Sequence, residues 1–245
     1  MSRLTRCIVR GHQFLIKRDD LFRLHLPDGT LVPRVTGNKA RKLKTLAQQL
    51  LDSTSTHQLL ASYGGYQSNN LAALSHVVNR VNELRSCSAA PIQVLYFTRN
   101  RIPKWLKASP VGNYATAISN GCNIIEIDRP MYQRLKDAPK HRDGVCLDDI
   151  AAISGVQKSF GTDVERTPLW VPQGGAMSEA SDGVSDMVNE IVEYLTSNKD
   201  SKPAFTKWRL VIASGTGSTA LFAHHQTLCH KRALAKASSS FTTCL

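Results

Sequence analysis

The chain of 245 residues lacks any run approaching the roughly 20 continuous apolar residues of a membrane-spanning helix. Met1 to Arg10 also lacks the apolar segment of a secretory signal. No membrane partner is expected, and a cytoplasmic protein is the default. The first acidic residue is Asp19, a gap that leaves room for a shortened organellar presequence. Cysteine never occurs as C-x-x-C: Cys7, Cys87, Cys122, Cys146, Cys229 and Cys244 stand far apart. That argues against a zinc site or a disulfide scaffold and for reduced, mostly structural thiols. The histidines form no H-x-x-x-H pair (His76 falls in a helical pattern, His224 and His225 are adjacent), so no metal is expected. There is no repeat of solenoid period and no heptad run.

Acid is the other shortage. Residues 1–125 hold 17 Lys+Arg against 5 Asp+Glu, and residues 126–245 hold 14 against 14, so the net charge of +12 sits in the first half. Such an excess suits nucleic acid, an anionic membrane or small anionic ligands, but names none of them. With no recognised nucleic-acid-binding motif, any such binding is expected to be non-specific and to weaken steeply with salt. At 42% apolar and 20% charged, with 15 Gly and 10 Pro, the chain can bury a sizeable core as one large or two small domains.

The order of elements is more informative. Residues 13–17 read as a strand, followed by Lys17-Arg18-Asp19-Asp20 at a sheet end; the two acids are expected to pair structurally with Lys17 or Arg18. A turn at Pro27-Asp28-Gly29 leads to Leu31-Val32. From Gly37 to Leu51 the apolar positions Leu43, Leu46, Ala47 and Leu50 fall at i, i+3, i+4 and i+7, a helix. Gln58 to Ser62 reads as a strand, then Gly64-Gly65, then a helix through Leu71, Leu74, Val77, Val78 and Val81. The unit recurs: strand 92–98, helix 112–120, strand 122–127, then a charged stretch to 166 with one helix at Asp148 to Ser154. It recurs again as strand 169–172, helix 178–196, strand 208–213 and a helix after Thr219. This alternation predicts an α/β protein with mostly parallel sheets. The acid-free segment from Ser201 to Leu245 ends in a Ser/Thr-rich tail where no strand is expected, so the last sheet reads as unfinished.

Three motifs sit at strand-to-helix turns. Ser214-Gly215-Thr216-Gly217-Ser218-Thr219 offers backbone N–H groups, hydroxyls and a helix start, a cradle for phosphate, although a plain capped turn reads equally well. Gly65-Tyr66-Gln67-Ser68-Asn69-Asn70 could hold a carboxylate, or simply cap a surface helix. Gly37-Asn38-Lys39-Ala40-Arg41-Lys42 places a lysine at the positive end of a helix dipole beside further cations, which favours a neutral, nucleophilic amine. By itself this basic helix reads as a solvated face or a phosphate patch.

In this order, and together with Lys17-Arg18-Asp19-Asp20-Leu21, Gly112-Asn113 and Pro172-Gln173-Gly174-Gly175, the motifs resemble the ACC deaminase and D-cysteine desulfhydrase family of pyridoxal-phosphate enzymes of the tryptophan synthase β-like fold. The matches run from about Ile16 to Ala223. The resemblance implies that Lys39 bonds the cofactor, Ser68 is the active-site serine near the substrate, and Asn69 lies beside the pyridoxal 3′-oxygen. It likewise implies that Gln67, with Ser68 and Asn69, lies where the substrate carboxylate is held, and that Ser214, Gly215, Thr216, Gly217, Ser218 and Thr219 form the phosphate loop. It further implies two lobes: residues 1–52 with 161–245 as the larger, incomplete at its C-terminus, and 53–160 as the smaller. A small amino acid is the expected substrate, with release of sulfide, pyruvate and ammonia from D-cysteine. ACC deamination to 2-oxobutanoate, or cofactor binding without turnover, are the alternatives, and a homodimer is the oligomer allowed. Relatives continue past the phosphate loop with groups that face the pyridine nitrogen, and His230 to Leu245 resembles nothing in them. Impaired catalysis and an exposed sheet edge are therefore expected of this chain.

Overall fold

The computed structural model describes residues 2–52, 58–85, 90–137, 168–197, 207–234 and 240–244. The chain opens with a hairpin of β1 (Leu4–Val9) and β2 (His12–Lys17), with Cys7 opposite Phe14. Arg10 and Gly11 both take positive φ at its tip, as a tight two-residue turn that follows strand twist demands. β2 matches the expected first strand; β1 was not foreseen. A second hairpin, β3 (Arg23–His25) with β4 (Leu31–Thr36), turns at Asp28, whose carboxylate accepts from the Thr30 N–H at 2.9 Å.

The central sheet holds β5 (Leu59–Tyr63), β6 (Gln93–Thr98), β7 (Asn123–Glu126) and β8 (Leu169–Val171), all parallel, in the order β7-β6-β5-β8. β8, from beyond residue 160, is thus hydrogen-bonded to β5 of the segment expected to form the smaller lobe. Alternation along the strands makes two cores. Leu60, Val94, Tyr96, Leu169 and Val171 face α1 (Gly37–Leu51) and α2 (Asn69–Leu84). Leu59, Ala61, Tyr63, Leu95, Phe97 and Trp170 face α5 (Arg129–Asp137) through Tyr132 and Leu135. Side chains burying on both faces explain why these strands read as unbroken apolar runs. On α1 the fully buried residues include Leu43, Leu46, Ala47 and Leu50, the face expected from spacing.

Short helices α3 (Lys104–Ala108) and α4 (Gly112–Ser119) bridge β6 and β7. α6 (Ala180–Ser197) packs on α1 so closely that a Cβ at Gly183 would lie 2.1 Å from the Arg41 carbonyl oxygen; only glycine permits that crossing. β9 (Lys207–Val211) leads to α7 (Ser218–Leu234). The tail corrects one expectation. Ser240–Cys244 is a strand, β10, parallel to β9 with Phe241 opposite Trp208. Serine and threonine dominate the tail's composition and read as turn, but Phe241-Thr242-Thr243 suits an extended pleat, and the edge of β9 supplies the ladder. Apolar surface remains beside it, with Val211 81% exposed and Leu221 60%. The helix expected at Asp148 to Ser154 lies outside the described residues, among which no helix is long and apolar enough to cross a membrane. Cys7, Cys122 and Cys229 are free, and burial pushes the Cys122 thiol up to about 12.

Candidate functional site

The carboxyl ends of β5 and β8, the starts of α1 and α2 and the turn after β9 meet around one cleft of about 240 Å³. Lys39, Ser68, Asn69, Gly174 and the Ser214-to-Thr219 turn line it, with Asn38, Lys42, Asn70 and Gln173. Crevices outside the carboxyl ends of parallel strands are where open α/β sheets hold ligands.

Lys39 stands in the first turn of α1, whose cap residue Thr36 makes no side-chain bond and whose first turn holds no acid. The helix dipole there is uncompensated. Lys39 Nζ donates to the Gly174 carbonyl at 3.0 Å, and burial lowers its pKa. One turn on, Lys42 is 1% exposed; its Nζ donates to the same carbonyl at 3.1 Å and to Ser218 Oγ. Burial, then the charge of Lys39, pushes the Lys42 ammonium down to about 8. Two ammonium groups thus share one carbonyl, and among the described residues no carboxylate lines the cleft. A buried cation without a counter-ion is costly unless a ligand supplies the negative charge.

The far wall is the turn itself. Gly217 has φ +81° and accepts from the Leu221 N–H at 2.9 Å, which starts α7 with no acid in its first turn. The Thr216 and Ser218 hydroxyls lie 3.2 Å apart. Gly174, φ +77°, presses on this wall: a Cβ there would come 2.6 Å from Thr216 Oγ1. Ser218 is the turn residue that does not line the cleft, its hydroxyl being bonded to Lys42.

At the start of α2, Ser68 caps the helix, its Oγ accepting from the Asn70 N–H at 3.1 Å. The Asn70 amide, 1% exposed and lining the cleft, has neither its oxygen nor its nitrogen hydrogen-bonded. Gln67 points elsewhere. Its Nε2 donates to the Val111 carbonyl at 3.1 Å and its Oε1 accepts from the Tyr114 N–H at 3.2 Å, so its side chain pins α4 rather than lining the cleft.

Asp20 pairs with Arg18 as expected, but Asp19 pairs with Arg41 at 2.8 Å, and both acids lie outside the cleft. No group of three or more His, Cys, Asp or Glu side chains among the described residues is placed to hold a metal. Lys42, Asn70 and Gln173 went unrecognised as site residues. Lys42 carried a signal, since it lies three positions after Lys39 and so on the same helix face; Gln173 stands in a quoted motif without a role; Asn70 carried none beyond its neighbours.

No protein-family model and no curated protein matches the chain. Among solved structures it is similar to one described as "Crystal Structure Analysis of the ACC deaminase homologue", with a TM-score of 0.53 and 20% sequence identity over 86% of this chain and 50% of that one. The fold is ACC deaminase-like. The chain spans half the length of that structure.

Proposed function

We propose that the cleft binds pyridoxal 5′-phosphate and that the chain belongs to the lyases and deaminases that use this cofactor on small amino acids, with D-cysteine as the first substrate to test. The observation that carries this is the pair Lys39 and Lys42, both lowered in pKa, bonded to one carbonyl and facing a glycine- and hydroxyl-rich turn with no acid among the described residues of the cleft. That donor set fits a ligand bearing a carbonyl and a phosphate. When bound, the cofactor supplies an electron sink for charge that develops at the substrate Cα.

Each residue then has a defined task. Lys42, bonded to Ser218 of the turn, is the cation for the phosphate, and the N–H groups and hydroxyls from Ser214 to Thr219 complete its cradle. Lys39, not bonded to the turn, would be the amine that holds the cofactor through its carbonyl and that holds or moves the proton at the substrate Cα. Ser68 and the first N–H groups of α2 take the substrate carboxylate. Elimination of sulfide from D-cysteine, with uptake of water to give pyruvate and ammonia, asks for one base at Cα; opening the ring of ACC to 2-oxobutanoate and ammonia asks for more groups at the ring carbons. Among the described residues no carboxylate lines the cleft, and a pyridine nitrogen there would meet only hydroxyl, amide and ammonium donors, which favours one other reading, cofactor binding without turnover.

The test is a titration of the purified chain with pyridoxal phosphate followed by visible absorbance, then assays for sulfide and pyruvate from D-cysteine and for 2-oxobutanoate from ACC. Saturable visible absorbance with sulfide release supports the enzyme; absorbance with neither product supports the binder; no absorbance change removes both.

A further inference from the structure

Asn113 lies at the second residue of α4, outside the cleft, and its side chain reaches back to the turn that opens α2. Its Nδ2 donates to the Gln67 backbone carbonyl at 3.0 Å and to Asn69 Oδ1 at 2.8 Å. A backbone carbonyl can only accept, so the end of the Asn113 amide that faces it must be the NH2. Asn69 is thereby fixed as well: the atom that meets Asn113 must be its oxygen, and its own NH2 is left over. Asn69 lines the cleft whereas Asn113 does not. Gln67 ties the same two elements a second time, through Val111 and Tyr114, and a Cβ at Gly112 would come 2.9 Å from Gln67 Oε1. The start of α4 is therefore seated against the α2 turn without slack.

We propose that Asn113 is a positioning residue that locks the orientation of the Asn69 amide, so that the cleft meets a hydrogen-bond donor at this point and selects a ligand oxygen that accepts. An unconstrained asparagine at a helix start could turn either end toward a ligand, and half of that choice would repel an anionic oxygen. Asn113 removes the choice before the ligand arrives, and preorganisation of this kind raises affinity without adding a contact. The inference rests on the proposed cofactor only for the identity of that oxygen, a ring oxygen of pyridoxal phosphate; the locked amide itself does not depend on it.

Two variants separate orientation from mere structural support. Asn69→Asp keeps an acceptor toward Asn113, replaces the cleft-facing NH2 by an oxygen and brings a negative charge with it. Its melting temperature is expected to be no lower than that of the unaltered protein, because the new carboxylate shares the cleft with Lys39 and Lys42, while its affinity for pyridoxal phosphate, read by absorbance titration, falls by about tenfold or more. Asn113→Asp cannot donate and so drives Asn69 to turn its NH2 outward, giving a similar loss; combined with Asn69→Ala it should add nothing to the loss that Asn69→Ala causes alone. Full affinity in Asn69→Asp, or additive losses in the double variant, would overturn the proposal. Should the unaltered protein bind no pyridoxal phosphate, the function proposed above falls and the lock is read without cofactor: the Asn113 side-chain NH2 resonances in a ¹⁵N-labelled sample should move downfield in Asn69→Asp, where the acceptor becomes a carboxylate, and upfield in Asn69→Ala, where it is lost. Resonances indifferent to both changes would refute it.

Discussion

Two groups of cations on the first turns of α1 have opposite fates. Arg41 is 1% exposed and meets two acids: Asp19 takes both its Nε and its Nη2 at 2.8 Å, and Glu190 on α6 takes Nη2 at 2.9 Å. Phe22 lies under its guanidinium at 4.1 Å, and Lys17 and Ser2 complete the cluster around Glu190 and Asp19. Lys42, the next residue, is as deeply buried and meets only a carbonyl and a hydroxyl. One charge is neutralised by the protein and fastens hairpin, helix and α6 together. The other is left beside Lys39 with no acid to offset it among the described residues, so either proton loss or a bound anion must neutralise it. Burial alone thus does not tell a structural cation from a functional one; the partner does.

The largest effect should come from breaking the paired side. Arg41→Met keeps the apolar stem but strands Asp19 beside Glu190, and is expected to cost about 3 kcal/mol in a denaturant melt. Lys42→Met should do the reverse. It removes a charge that has no counter-ion, so the cofactor-free protein should melt at the same temperature or higher, while affinity for pyridoxal phosphate falls roughly ten- to hundredfold with the loss of a charged donor. A destabilised Lys42→Met variant with unchanged affinity would erase the contrast between the two groups.

The same contrast has a pH signature. The folded pKa of Lys42, about 8, lies below its ordinary 10.5, so the unfolded chain holds that proton more tightly. The cost of the charged lysine is fully present below pH 8 and is relieved as pH rises from there toward 10.5, so the cofactor-free protein should gain stability over that interval, and Lys42→Met should flatten the gain. Glu190 works at the other end. Burial opposes its charge, but the bonds from Arg41 and Lys17 outweigh burial and hold its carboxyl below the ordinary 4.5. Its contribution is present above 4.5 and is lost as pH falls through the folded value, a loss that Arg41→Met should reduce. Chemical melts at stepped pH read both slopes.

A smaller and local effect is expected at the turn. Gly217 needs φ +81°, a region that costs a side-chain-bearing residue about 1–2 kcal/mol, whereas a Cβ at Gly215 meets nothing within 4 Å. Gly217→Val should therefore lose pyridoxal phosphate on gel filtration, and Gly215→Ala should retain more of it. Equal retention in the two variants would mean that the shape of the turn does not set the cradle.

What could be read in advance follows range in sequence. Helices α1 and α2 and their buried faces came from local periodicity, and the strands β5 and β6 from short apolar runs between turns. Lys39, Ser68, Asn69 and the Ser214-to-Thr219 turn each occupy a strand or helix end that local signals mark; the ends follow strands of three different sheets, and packing of α1 against α2 and α6, and of α6 against α7, brings them together. Arg41 looked like part of a solvated basic face because its partners are Asp19 and, 149 residues away, Glu190; no spacing rule reaches that far. Gln67 looked like a cleft residue because its turn is one, but side chains at successive positions of a turn diverge, and its amide met α4. β10 was missed because a strand of threonine and serine exists only where an edge accepts it.

The central claim, that Lys39 is the free amine and Lys42 the phosphate cation, is tested most directly by reducing the protein with borohydride in the presence of pyridoxal phosphate and mapping the labelled peptide. The account predicts a pyridoxyl group on Lys39 alone, with Lys42→Met still labelled there once the cofactor concentration is raised; a label on Lys42, or scattered over surface lysines, would contradict it.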